Sequence, residues 1–122
     1  MTNDSLRFEK LKIWQLAQEL SAKLSIIFYA KSFHNFSFSD QIMRASISIS
    51  NNIAEGYERG STKELIRFLY ISKGSCGEVR SMIYLANKFG YISETDEDDY
   101  IHCCIDLSVK INNYISYLKN KL

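Results

Sequence analysis

No proline occurs anywhere in the 122 residues, which removes the commonest breaker of helix interiors and a usual mark of all-β chains with many tight turns. Cysteine is scarce. The three present, Cys76, Cys103 and Cys104, are odd in number, form no C-x-x-C and include an adjacent pair, so reduced thiols are expected rather than a disulfide framework. No stretch of 18 apolar residues appears, and Met1 to Lys10 lacks the apolar segment of a signal peptide, so no membrane span and a cytoplasmic location are expected. Charge of one sign is missing too. Fifteen Lys and Arg stand against fourteen Asp and Glu, a net +1 that gives the chain as a whole no pull toward nucleic acid or membrane.

Motifs of catalysis are also lacking: the chain has no glycine-rich phosphate loop, no zincin motif and no nucleophile elbow. His102 precedes Cys103 and Cys104, but successive helix positions diverge by about 100 degrees, so the three cannot converge on one metal ion. No catalytic residue, metal or cofactor is therefore expected, and the protein is read as a non-enzyme.

What the chain does have is a core. Hydrophobic residues make up 46% and aromatics 13%, including eight Tyr and seven Phe, enough for a single domain spanning residues 1–122. The apolar positions fall into four helical patterns, predicted over about 5–32, 39–59, 62–89 and 95–120. Ile13, Ala17, Leu20, Leu24 and Ile27 define the first, with Trp14, Leu16 and Phe28 widening the stripe. Phe33, Phe36 and Phe38 follow and are expected to close the end of the core, with Ser37 or Ser39 capping the second helix.

The second pattern runs through Ile42, Ala45, Ile49, Ile53 and Gly56 to Gly60, which tolerates a left-handed C-terminal position. Ser61 to Glu64 then reads as an S-x-x-E capping box for the third helix, which carries Leu65, Phe68, Leu69, Ser72, Val79, Met82, Ala86 and Phe89 before Gly90. Ser93 or Thr95 is expected to cap the fourth, whose acidic first turn suits the positive end of the helix dipole and whose Lys119 and Lys121 suit the other. Its stripe is Ile101, Cys104, Ser108, Ile111, Ile115, Leu118 and Leu122, flanked by Tyr100, Leu107 and Tyr114. Short breaks between four helices imply antiparallel neighbours, hence an all-α, up-down-up-down four-helix bundle. The wide apolar faces of the second and fourth helices hint at contacts between subunits.

The stretch from Arg44 to Arg59 is unusual because its Ser and Asn residues are mediocre helix formers. In a hairpin about Gly60, residues whose numbers sum to about 122 lie side by side. That places Arg44 near Glu78 and Glu55 near Arg67, so ion pairs across the interface are expected to set its register. Arg44, Asn52, Glu55, Gly56 and Glu78 form the polar motif of this reading. Gly74 and Gly77 are expected to permit close helix approach.

Gln41, Met43, Arg44, Ala45, Ser46, Ser48, Ile49 and Asn52 to Gly56, with Arg59, Phe68, Ser75 and Glu78, carry a resemblance. Over roughly residues 8–92 the chain resembles the bacterial four helix bundle protein family, also called the 23S rRNA intervening-sequence protein family; Leu11, Trp14, Ala17 and Leu20 resemble its first helix. The chain departs from the family pattern at Ser50 and at His34 and Asn35, where members commonly carry proline. The resemblance implies a homopentameric, barrel-like assembly without known enzymatic activity. Members are encoded within intervening sequences of large-subunit ribosomal RNA genes, and related accessory proteins of diversity-generating retroelements bind nucleic acid and a reverse transcriptase.

Two functions follow as expectations. In one, a homo-oligomer associates with RNA or DNA through Lys10, Lys12, Arg59, Lys63 and Arg67; residues 1–93 hold a surplus of Lys and Arg, which symmetry would multiply. In the other, an oligomeric scaffold docks a protein partner on exposed tyrosines such as Tyr57, Tyr84 and Tyr117.

Overall fold

Ile13, Ala17, Leu20, Leu24 and Phe28 recur every three or four positions, and all five are buried along one face of α1, Lys12–Phe28. The same logic yields α2, Phe36–Glu58, α3, Thr62–Lys88, and α4, Glu94–Lys119. These elements come from a computed structural model in which residues 7–122 are described. Among them there is no strand and there are four α-helices, an all-α fold. Its buried hydrophobic side chains, Phe68 apart, form one continuous cluster.

The boundaries follow local chemistry. The first helix starts later than periodicity suggested: residues before Arg7 lie outside the described part, Phe8–Lys10 is a single 3-10 turn, and Leu11 is extended. Gln15 holds that turn by donating from Nε2 to the Glu9 carbonyl at 2.9 Å. The helix also stops sooner, at Phe28, because Phe33 folds back edge-on against the Phe28 ring at 5.1 Å. Asn35, not Ser37 or Ser39, caps α2: its Oδ1 accepts the Phe38 amide at 3.1 Å, and its Nδ2 donates to the Tyr91 hydroxyl at 2.7 Å. Phe33 and Phe38 join Phe28, Phe89 and Tyr91 in an aromatic plug at this end of the core, but Phe36 points outward and is 71% exposed.

Gly60 (φ 81°) and Gly90 (φ 80°) take the left-handed positions that close α2 and α3. Ser61 Oγ caps α3 by accepting the Glu64 amide at 3.1 Å, and Ser93 Oγ caps α4 by accepting the Asp96 amide at 3.0 Å. In α4 the buried row is Tyr100, Cys104, Leu107, Ile111, Ile115 and Leu118. Of the row expected to flank it, Tyr100 and Leu107 are therefore part of the core and Tyr114 is half-buried, while Ile101 and Ser108 are half-buried and Leu122 is exposed.

Helix α2 packs against α1 and α3, α3 against α4, and α1 touches α4. Between α2 and α3, Ser48 meets Ser75, Ile49 meets Ser72 and Gly56 meets Phe68, so partner numbers fall as α2 numbers rise, at sums close to the expected 122. Gln18 with Ser50 and Ser21 with Ser46 show the same opposed counting between α1 and α2.

Candidate functional site

The polar residues of α2 do not gather into one site. They form a seam of hydroxyls and amides along the helix. Ser46 and Ser50, both buried, accept hydrogen bonds from Ser21 Oγ and Gln18 Nε2 of α1, respectively, at 3.1 Å each. On the other flank Ser48 meets Ser75 Oγ at 3.0 Å, and the buried Ser72 hydroxyl donates to the Ile49 carbonyl at 2.9 Å. Asn52 Nδ2 donates to the Ser48 carbonyl and hydroxyl at 2.8 and 2.9 Å. No buried side-chain nitrogen or oxygen among the described residues lacks a partner. This network is what repays the weak helix formers of α2, because an unpaired buried hydroxyl costs more than a paired one returns. Gln18 and Ser21 were not singled out in the sequence. The signal that could have found them is that Ser46 and Ser50 stand in phase with buried Ile49 and Ile53, and so need partners.

The expected ion pairs across this interface are not made. Arg44 and Glu78 occupy the same level, but Arg44 Nε pairs along its own helix with Asp40 Oδ2 at 3.0 Å, and Glu78 is exposed with no ion pair among the described residues. Glu55 likewise pairs with Arg59 at 2.9 Å rather than with Arg67. Gly74 and Gly77 are exposed and nothing lies within 4 Å of a Cβ built on either, so neither serves close approach within the chain. That role belongs to Gly56, where an added Cβ would stand 2.6 Å from Phe68 Cβ.

Of the five basic candidates, Arg59 and Arg67 converge at the α2–α3 turn. Their guanidinium carbons lie 4.9 and 4.6 Å from the centroid of the Phe68 ring. Glu64 joins them: it accepts from Arg67 Nε at 2.8 Å and from Arg59 Nη1 at 3.4 Å, instead of reaching back to its own helix cap. The Arg67 hydrogen bond holds the Glu64 carboxyl below its ordinary value and the Arg67 guanidinium above its own. Lys63, the second residue of α3, is exposed. Lys10 and Lys12, also exposed, sit at the start of α1, where the 3-10 turn packs against α2. Lys10, Lys12 and Lys63 form no ion pair among the described residues, so theirs is the charge least neutralised at home.

Of the tyrosines expected to be exposed, Tyr84 and Tyr117 are, whereas Tyr57 is half-buried against the core. Elsewhere, Lys23 Nζ lies 2.7 Å from Asp99 Oδ2 and 3.5 Å from Cys103 Sγ, and the Asp99 hydrogen bond raises the lysine above its ordinary value. Burial pushes the Cys76 and Cys104 thiols up to about 12. Among the described residues no three His, Cys, Asp or Glu side chains stand together as a metal site, and no helix is long and apolar enough to cross a membrane.

No curated protein matches the chain. A family model does: the one described as 23S rRNA-intervening sequence protein aligns with residues 9–113, which take in all of α1, α2 and α3 and most of α4. With that much of the chain covered, and four helices in place, the protein belongs to the 23S rRNA-intervening sequence protein family.

Proposed function

We propose that the protein is a non-enzymatic homo-oligomer, a pentamer of antiparallel up-down-up-down four-helix bundles in the cytoplasm, that associates with RNA through the end of the bundle bearing Lys10, Lys12, Arg59, Lys63 and Arg67. The observation that carries this reading is the placement of those side chains. Opposed counting between α1 and α2 and between α2 and α3 brings the start of α1, the end of α2 and the start of α3 to one end, and α3–α4 contacts such as Tyr70 with Lys119 bring Lys119 and Lys121 there too. The acidic first turn of α4, Glu94, Asp96 and Glu97, belongs to the other. A chain of net charge +1 is thus polarised along its axis, and a phosphate backbone meets lysines without meeting the acidic turn.

Assembly is supported by apolar side chains that the single chain leaves in water. Ile71 and Leu85 on α3 and Ile105 and Val109 on α4 are each more than 40% exposed, and α3 also presents Gly74 and Gly77 to the outside. In a closed ring these faces have a partner, and five basic ends act together on one polyanion.

The test is solution mass by light scattering, followed by binding of a structured RNA across a salt series. Affinity that falls steeply with salt is expected. Absence of binding at low salt, or binding insensitive to salt, contradicts the reading. The alternative, a protein-docking scaffold without RNA binding, predicts instead a protein that stays bound after nuclease treatment.

A further inference from the structure

The basic end also holds a cleft, and of the five basic candidates only Lys12 lines it. It opens between the start of α1 and the last turns of α4, has a volume of about 300 Å³, and is lined by Leu11, Lys12, Ile13, Lys110, Asn113 and Tyr114. Its wall is continued by a second ring: Tyr114 and Tyr117 stack nearly parallel, 14° apart in plane with centroids 6.1 Å apart. Tyr117 is 54% exposed, and Lys121 Nζ rests over its ring at 4.7 Å from the centroid. Lys12 and Lys110 flank the opening, the latter paired with Asp106 at 2.7 Å.

We infer that this cleft takes an unpaired base of single-stranded RNA, stacked on the Tyr114–Tyr117 pair, while Lys12 and Lys121 hold the flanking phosphates. The inference rests on the RNA-binding reading and adds to it the kind of RNA bound. Three features point the same way. The volume is at the small end of ligand pockets, about 300 Å³ and upward, enough for one planar ring system and far too small for a duplex. A lining of apolar carbon and tyrosine ring rewards a flat aromatic guest, and base-on-aromatic stacking is the sequence-tolerant term in single-strand recognition. The cations at the rim complement phosphates on either side of such a base, and only a base released from its own stack can enter.

The experiment compares a fluorescein-labelled oligouridylate with a blunt RNA duplex of the same length, by anisotropy at several salt concentrations, using the full chain. Wild type is expected to bind the single strand at least about tenfold more tightly. Tyr117→Ala, at a surface position that leaves the core intact, is expected to lose about tenfold for the single strand, with its salt dependence, duplex affinity and solution mass unchanged. Tyr117→Phe keeps the stacking face and is expected to bind within about twofold of wild type. Lys121→Ala is expected to weaken both RNAs and flatten the salt dependence.

Equal affinity for both RNAs, or a Tyr117→Ala protein that binds the single strand as wild type does, overturns the base pocket while leaving RNA association standing. A change of solution mass in Tyr117→Ala also overturns it, because a second copy of the chain then covers the tyrosine pair. Failure of both RNAs to bind at low salt removes the pocket and the RNA-binding reading together.

Discussion

Gly56 and Phe68 are in contact at a point where no side chain on residue 56 fits: a Cβ there would lie 2.6 Å from Phe68 Cβ and 3.4 Å from the Leu65 Cα. The missing side chain lets α2 and α3 approach just before the turn, and it seats the Phe68 ring beneath Arg59 and Arg67. One glycine therefore joins the packing of the bundle to the geometry of its basic end.

Gly56→Ala is expected to destabilise the fold by about 1–3 kcal/mol, the usual cost of overpacking a filled interface. Gly74→Ala, with nothing of its own chain around it, is expected to do the opposite in the dissociated single bundle and gain up to about 1 kcal/mol from helix propensity. Urea unfolding followed by circular dichroism measures both, and two changes of the same sign would contradict the assignment of Gly56 as the close-approach residue.

The hydroxyl seam predicts coupling where ion pairing does not. A double-mutant cycle on Ser48 and Ser75, truncated to Ala, is expected to show an interaction energy of about 0.5–1 kcal/mol, because either truncation removes the Ser48–Ser75 hydrogen bond and leaves Ser48, where it remains, only the Asn52 amide. The same cycle on Arg44 and Glu78 is expected to be additive, since Arg44 engages Asp40. Non-additivity at Arg44 and Glu78 would restore the ion pair as the element that sets register.

Alkaline pH is expected to weaken the protein. Burial holds the Cys76 and Cys104 thiols neutral up to about 12, whereas in the unfolded chain they ionise near 9. Below 9 both states keep the proton and these groups leave stability unchanged. From about 9 toward 12 only the unfolded chain releases protons, so stability falls by up to about 1.4 kcal/mol per pH unit per thiol. Lys23 acts in the same direction, because its hydrogen bond to Asp99 raises it above 10.5 and that contribution disappears as pH climbs through the folded value. Its share is small, as lysine and aspartate are 40% and 58% exposed. Urea midpoints under reducing conditions at pH 8 and above pH 10 test this; replacing both buried cysteines by Ala should flatten the decline.

Much of the fold is visible in the order of residues. Gly60 followed by Ser61 and Glu64, and Gly90 followed by Ser93, mark turns by backbone chemistry that needs no tertiary context, and the hairpin they define has the register expected of it. What counting cannot supply is rotation about the helix axis. Arg44 and Glu78 share a level but face outward, and a carboxylate four residues away on the same helix is a nearer partner for Arg44 than any across the interface. Choosing among Asn35, Ser37 and Ser39 as a cap is beyond local propensity too, because Tyr91, far along the chain, fixes the asparagine amide. At the basic end, Arg59, Lys63 and Arg67 are close in sequence and legible as a cluster. The cleft with Tyr114 and Tyr117 joins the two ends of the chain, so nothing short of the folded contacts brings it together.

The central claim is that the lysine-rich end of this bundle holds RNA. Its most direct test is the salt dependence of RNA affinity for wild type beside a Lys10→Glu, Lys12→Glu, Lys63→Glu variant, all three positions being exposed and outside the core. Affinity that drops steeply with salt in wild type, and a variant of unchanged helicity that binds at least about a hundredfold more weakly with a flatter salt slope, are the predicted results. Wild-type affinity in the triple variant, or no measurable affinity in either protein at low salt, would contradict the account.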